Sequence, residues 1–297
     1  MLLFGFAGWV FWPVLQDLSE RWTVDPQYSH CALVPVAAIL VLWARRHLRP
    51  VGGRPAMSGL LLLAAGLGLN YFGEVAFYSA LQAGAFILVL GGIVAAMNGW
   101  RTFSWTFPAL FLLGFAIPLP YRIHSALAEP LQRVVASGTA ATLRLLGRPA
   151  MSMGLSVEAD GHRVNVVDAC CGLGMLFVFL FIAAAIATIS RRPFIDKLLL
   201  FLAAPIAGLA VNILRVTATL EAGLRGYGPQ TSKMVHDVGG YLMAPAALFI
   251  LLTVLALIGL VFPATRSADE PLQIAFQLGV ADQSDFVAPR RRSSSSR

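Results

Sequence analysis

Long hydrophobic runs alternate with short polar stretches along most of the chain, and this pattern predicts a polytopic helical membrane protein. A helix needs about 20 apolar residues to cross a bilayer. Eight segments come near that length, at about residues 1–15, 30–44, 57–72, 76–96, 102–118, 172–189, 197–214 and 241–262. The first is short and lacks the basic start of a signal peptide, so we interpret it as an anchor or a cleaved start segment.

Composition supports the membrane class. Of the 297 residues, 58% are hydrophobic and only 12% are charged, and the mean hydropathy is +0.74. A water-soluble domain could not hide so much apolar surface in one core. The net charge of +7 does not indicate nucleic acid, because many arginines flank apolar segments, where they act as orientation signals. We expect membrane lipid, and no nucleic acid, as a partner.

Basic residues in the short connections predict the orientation, because Lys and Arg accumulate in cytoplasmic loops near the ends of spans. They occur after the second, fourth, sixth and eighth predicted spans, as Arg45, Arg46, Arg49, Arg54, Arg101, Arg191, Arg192, Lys197 and Arg266. The alternate connections, at residues 16–29, 72–75, 119–171 and 216–240, then face outward. We therefore expect an inner or cytoplasmic membrane protein with a cytoplasmic C-terminus.

The long connection at residues 119–171 also carries arginines, but long translocated segments are less bound by the charge rule. Arg122, Arg133 and Arg144 recur every eleven residues, close to three helical turns, so they share one stripe of a helix. This spacing predicts an amphipathic helix that lies along the outer surface. The alternative is a re-entrant or weakly spanning segment.

Two short strand-like pieces follow within residues 151–167, around Asp160-Gly161, a strong hairpin turn signal. The predicted fold class is thus an all-α polytopic membrane protein with about eight transmembrane helices, an extracytoplasmic amphipathic helix and a small β-hairpin. We expect one integral membrane domain over residues 1–265, with the external helix and hairpin at about 119–169. Residues 266–297 are expected to be a disordered cytoplasmic tail.

The candidate chemistry lies at outward ends of the predicted spans. Cys170 and Cys171 stand where a polar stretch gives way to an apolar run. A thiol is a nucleophile only as thiolate, which needs a nearby cation or proton acceptor. Arg215 would stabilise both a thiolate and the oxyanion formed at an attacked carbonyl. His236 is suited to move protons between the thiol and a leaving amine.

Five segments resemble the exosortase and archaeosortase family of membrane-embedded cysteine transpeptidases. They occur in the family's order and run from about residue 26 to 262. They are Tyr28-Ser29-His30-Cys31-Ala32-Leu33-Val34-Pro35, Ile117-Pro118-Leu119-Pro120, Ala169-Cys170-Cys171-Gly172, Asn212-Ile213-Leu214-Arg215 and His236. Cys171 departs from the family pattern, which usually has Ser or another small residue there. Cys31 stands where the family more often has Gly.

The resemblance implies that Cys170 is the nucleophile, a choice that chemistry alone leaves open between the two adjacent thiols. We expect four supporting residues, Asn212, Asp168, His30 and Tyr28. Three of them have a structural alternative. Asn212 would also serve as a helix-to-helix hydrogen-bonding residue, and His30 and Tyr28 as interface anchors. His124 and His162 are expected at the surface.

The resemblance further implies cleavage of secreted proteins with a C-terminal sorting signal of Pro-Glu-Pro type. The reaction would pass through a thioester, and the product would be transferred to an envelope acceptor. A cysteine protease that only hydrolyses is the main alternative, and a transporter is a distant one. No metal or cofactor is expected: a His-Glu-x-x-His motif is absent, and adjacent cysteines are poor partners for tetrahedral zinc.

Overall fold

The computed structural model describes residues 2–25, 27–51, 53–165, 172–226, 230, 234–235, 238–240 and 242–261. Within these residues the chain is mostly helical. The α-helices are α1 (Leu2–Val10), α2 (Trp12–Val24), α3 (Leu33–Ala44), α4 (Ser58–Val75), α5 (Ser79–Leu113), α6 (Tyr121–Leu145), α7 (Leu173–Ile189), α8 (Phe194–Leu224) and α9 (Met243–Val261). The predicted tail at residues 266–297 lies outside the described residues.

The predicted count of eight spans is not confirmed. Four of the described helices are long and apolar enough to cross a membrane, namely Ser58–Val75, Ser79–Ala116, Phe194–Leu224 and Ala244–Val261. Helices α1 and α2 meet at a 66° bend and make a fifth span if they are counted together. Helix α7 and the segment Ser29–Ala44 are apolar but shorter.

The segment predicted as an outward connection at residues 16–29 is helical as far as Val24, and its outward location stays a prediction. Its polar residues lie on a helix that is amphipathic rather than uniformly apolar, which a hydropathy scan does not detect. Val14 and Leu18 are buried, while Asp17 and Arg21 form an ion pair at 3.0 Å one turn apart.

Helix α5 contains a sharp turn at Gly99, where φ is 82° and ψ is 171°. Side chains from beyond the turn return to the first arm: a Cβ on Gly91 would lie 2.9 Å from Phe103 Cε2 and 3.3 Å from Leu110 Cδ1. The second arm of α5 therefore folds back along the first. The two spans predicted at 76–96 and 102–118 correspond to these two arms.

Glycines bring α4 close to the first arm of α5. A Cβ on Gly66 would lie 2.8 Å from Val89 Cγ2, and one on Gly73 would lie 2.9 Å from Gln82 Cγ. Small residues allow such close approach between helices in membranes, where van der Waals contact drives helix association. The α4–α5 pair is thus held by direct packing near the backbone.

Helix α6 is amphipathic, as its sequence predicts. One face is buried and is formed by Ala128, Gln132, Val135, Ala136, Thr139, Ala140 and Leu143. Arg122, Arg133 and Arg144 lie on the exposed side. The buried face packs against α8 and against the strands that follow. Its location outside the membrane stays a prediction.

The strands β1 (Ala150–Met153), β2 (Ser156–Ala159) and β3 (His162–Asn165) form an antiparallel sheet in chain order. The predicted turn at Asp160-Gly161 is confirmed: φ is 49° and 77° at these residues, and Ala159 pairs with His162. The two-stranded prediction was incomplete, because a second turn at Gly154, with φ of 65°, adds β1.

Helix α8 lies at the centre of two packed clusters. One combines α7, α8 and α9, with Phe179, Ala204 and Leu251 fully buried. The other joins α6 and the sheet to the C-terminal part of α8. The helix continues from Phe194 to Leu224 although it contains Pro205, and is longer than the span predicted at 197–214.

Ion pairs hold both ends of α8. At its first turn Asp196 is fully buried, and its Oδ2 lies 3.8 Å from Arg192 Nη1. At its last turns Glu221 Oε1 accepts a hydrogen bond from Arg148 Nη2 at 3.0 Å. Arg148 also donates to Asp160 Oδ2 at 2.8 Å. The sheet is therefore tied to the C-terminal part of α8.

Candidate active site

Asn212 and Arg215 lie one turn apart on α8 and therefore on the same side of the helix. Asn212 is fully buried. Arg215 is partly buried, and its backbone carbonyl accepts a hydrogen bond from Thr219 Oγ1 at 2.9 Å. This side of α8 faces the chain segments that carry the other candidate residues.

Gly172 lies immediately after the two predicted thiols and precedes the first turn of α7. Its backbone is left-handed, with φ of 88°, and a Cβ at this position would lie 2.9 Å from Asn212 Nδ2. Both the conformation and the space therefore require glycine. As a result, the residue that follows the two thiols in the chain, Gly172, lies in direct contact with Asn212.

Gly239 makes the corresponding contact with Arg215. A Cβ there would lie 2.9 Å from Arg215 Cγ and 3.0 Å from Arg215 Cδ. Gly239 follows His236 by three residues. The segment that follows His236 is thus packed, at Gly239, against Arg215.

Asp168, Cys170, Cys171 and His236 lie outside the described residues, so their predicted roles stay predictions. The structure instead brings together their chain neighbours and α8. Gly172 and Gly239 are far apart in the sequence, and they meet α8 at Asn212 and Arg215 respectively.

An open apolar cavity of about 470 Å³ lies beside Arg215. Its described wall consists of Met175, Val211, Leu214, Arg215, Ala218, Met234, Val235, Val238, Gly239, Leu242 and Ala246. Arg215 is the charged residue in this described wall. A cation in such an apolar setting acts on a nearby negative charge more strongly than it would in water.

Tyr28 and His30 reach the same end of α7. Both line a small cleft with Leu173 and Gly174, the first residues of that helix. A Cβ on Gly174 would lie 3.2 Å from Gln27 O. Burial, followed by the charge of Asp25, raises the pKa of the Tyr28 hydroxyl, so that group stays protonated at neutral pH.

Gln27 and His124 are a polar pair that the sequence did not indicate. The Gln27 side-chain amide nitrogen lies 2.7 Å from His124 Nε2, a hydrogen-bond distance. His124, expected at the surface, is partly buried and contacts Gln27. The two residues are 97 positions apart, and no periodic pattern connects them.

Among the described residues, no three His, Cys, Asp or Glu side chains come close enough to hold a metal ion. That finding does not extend to Cys170, Cys171 or His236. The expected absence of a metal therefore stays a prediction.

Neither a curated protein nor a solved structure matches the chain significantly. A family model does match: the one described as transmembrane exosortase (Exosortase_EpsH) covers residues 22–253. This range contains every motif from Tyr28 to His236 and most of the apolar helices, which make the chain an integral membrane protein. The chain belongs to the transmembrane exosortase family.

Proposed function

We propose that this protein is a cysteine transpeptidase. It cleaves C-terminal sorting signals of Pro-Glu-Pro type from secreted proteins and transfers the cleaved proteins to an envelope acceptor. Membership of the exosortase family suggests a transpeptidase-type role in sorting. The observation that carries the proposal is the pair of contacts on α8, from Gly172 to Asn212 and from Gly239 to Arg215. Through these contacts, the segment that begins α7 and the segment that precedes α9 both reach the same face of α8.

In the proposed reaction the Cys170 thiolate attacks the carbonyl carbon of the scissile peptide. The carbon–nitrogen bond then breaks, and the amine of the signal leaves with a proton from His236. The upstream part of the client remains as a thioester on Cys170. An amine or hydroxyl of the acceptor attacks this thioester and loses its proton to His236, and the carbon–sulfur bond breaks to regenerate the Cys170 thiolate.

Arg215 has two tasks in this scheme. Its fixed positive charge favours the thiolate before attack and stabilises the oxyanion that forms during attack. The apolar wall around it supports these tasks, because a low local dielectric strengthens the attraction. Arg is suited to the position since it stays charged even at a membrane boundary.

Asn212, Asp168, His30 and Tyr28 are proposed as supporting groups. Asn212 would position the start of α7 through its contact with Gly172. Tyr28 and His30 would close the opposite side of that helix end, where they line the small cleft. Asp168 would orient His236 or Arg215.

The length of α8 supports an active site at the outer membrane boundary. Arg215 lies 21 residues beyond Phe194, which corresponds to about 32 Å of helix, close to the roughly 30 Å hydrocarbon core. Arg191, Arg192 and Lys197 lie near the opposite end, where cytoplasmic charge is expected. If the first turn of α8 is at the inner boundary, Arg215 is at the outer one.

The test follows a tagged secreted protein with a Pro-Glu-Pro-type signal in cells that carry wild-type protein, Cys170→Ala or Cys171→Ala. We expect cleavage with wild type and with Cys171→Ala, and none with Cys170→Ala. Intact-mass analysis of the wild-type product should show an added acceptor. A product with a free carboxylate would favour the hydrolysing protease instead. Unchanged processing in both variants would refute the catalytic thiol.

A further inference from the structure

A second, larger cavity lies away from Arg215, between α2, α3 and the two arms of α5. Its volume is about 500 Å³. The wall is formed by Phe4, Leu15, Leu18, Trp22, Pro35, Ala38, Ile39, Leu42, Ala83, Phe86, Ile87, Leu90, Val94, Thr106, Ala109, Leu110, Leu113, Ala116 and Ile117. We refer to this cavity as the apolar slot.

The wall of the slot has no free side-chain hydrogen-bond donor for an occupant. Trp22 and Thr106 are the wall residues whose side chains carry polar atoms, and both are already bonded within the protein. Trp22 Nε1 donates to Ala116 O at 3.0 Å, and Thr106 Oγ1 donates to Phe103 O at 3.0 Å. Buried water typically needs two to four polar partners, so hydrocarbon suits this space better than water.

The dimensions of the slot match one leaflet of a bilayer. Along the first arm of α5 the wall runs from Ala83 to Val94, and the eleven helical steps between these residues span about 16 Å. The hydrocarbon core of a bilayer is about 30 Å thick, so one leaflet is about half of that. Phe4 is 39% exposed and Ile39 is 66% exposed, so the slot is open sideways where lipid would lie.

We propose that the apolar slot binds one hydrocarbon chain of a membrane lipid. The chain end lies toward Val94 and Thr106, and the headgroup lies toward Trp22 and Ile117. Ile117 is shared with the small cleft of Tyr28 and His30. The bound lipid thus places its polar end beside the candidate active site. The proposal does not depend on the proposed chemistry and can be tested with Cys170→Ala protein.

The test uses the full chain in nanodiscs that contain phosphatidylglycerol with a photoactivatable diazirine near the end of one chain. After illumination, cross-linked peptides are mapped by mass spectrometry. We expect labelling to concentrate on Ile39 and Leu42 of α3 and on Leu90 and Val94 of α5. Labelling no stronger there than on the exposed Leu61 of α4 would overturn the proposal.

A matched pair of variants makes the test specific. Leu90→Trp fills the slot, and Leu40→Trp makes the same change at a position that is 56% exposed and outside the slot wall. We expect labelling of Ile39 and Leu42 to fall about tenfold in Leu90→Trp, because overpacking opposes the chain, and to be unchanged in Leu40→Trp. Equal labelling in both variants would overturn the proposal.

A third variant covers the case in which Leu90→Trp does not fold. Val94→Phe shortens only the deep end of the slot. It should reduce labelling by a diazirine at the chain end while sparing labelling by one placed near the headgroup. Loss of neither signal would contradict the proposed direction of the chain. Displacement of the lipid by a synthetic signal helix that becomes cross-linked itself would identify a client-docking site and overturn the proposal.

Discussion

Replacing Gly172 with alanine tests the contact between the thiol segment and α8. Alanine at φ of 88° is strained, because the left-handed conformation costs an L-residue about 1–2 kcal/mol. The new Cβ would also lie 2.9 Å from Asn212 Nδ2. Asn212 is fully buried, so it cannot turn out into solvent to avoid this contact. Overpacking of this kind costs about 1–3 kcal/mol in addition.

Gly147→Ala is the matched control. Gly147 has φ of 83°, but nothing lies within 4 Å of the position of its Cβ. This variant therefore carries the backbone strain without the clash. We expect it to lower the thermal unfolding midpoint slightly and to leave client processing near the wild-type rate.

We expect Gly172→Ala to lose more cleavage activity than Gly147→Ala, since a displacement near 1 Å at a reacting group costs about a hundredfold in rate. The assay compares initial rates of client cleavage with unfolding midpoints in the same detergent. A double variant, Gly172→Ala with Asn212→Ala, removes the clash, and its deficits should be clearly less than additive. Equal effects of Gly172→Ala and Gly147→Ala on cleavage would refute the reasoning, because strain alone would then explain both.

Two further changes test the other contacts of α8. Gly239→Ala should slow cleavage about tenfold or more, because the new Cβ pushes Arg215 aside. Gly240→Ala is the control and should leave the rate of cleavage unchanged, because its added Cβ meets nothing within 4 Å. Equal cleavage rates of the two variants in single-turnover assays would contradict this prediction. Arg148→Met removes the ion pair with Glu221, so we expect the sheet to be cleaved faster by added protease. Arg148→Lys keeps the charge but not the two-partner geometry, so we expect an intermediate rate of proteolysis. Unchanged protease resistance would show that the ion pair does not hold the sheet.

The helical pattern of the chain was largely predictable, because apolar periodicity indicates which segments are buried in the protein or contact lipid. The arginine stripe of α6 and the turn at Asp160-Gly161 followed from spacing and from turn chemistry. The bend of α5 at Gly99 did not, because a lone glycine in an apolar run does not say whether the helix turns there. Polar α2 was missed because hydropathy averages over both of its faces.

For the candidate site, the motifs predicted which segments matter, but not their contacts. The roles of Gly172 and Gly239 depend on how closely α8 approaches each of them, which only the packed structure defines. The Gln27–His124 pair and the apolar slot are built from distant parts of the chain. No local pattern encodes either of them.

Because α8 is one continuous helix, a movement at its first turn is transmitted to Arg215 near its other end. Arg215 lies 19 residues beyond Asp196, the buried carboxylate at the first turn, which is about 28 Å of helix. A tilt of about one degree around Asp196 would move Arg215 by about 0.5 Å, the tolerance within which functional groups need to be held. The alignment of Arg215 therefore depends mechanically on how Arg192 and Asp196 fix the far end of the helix.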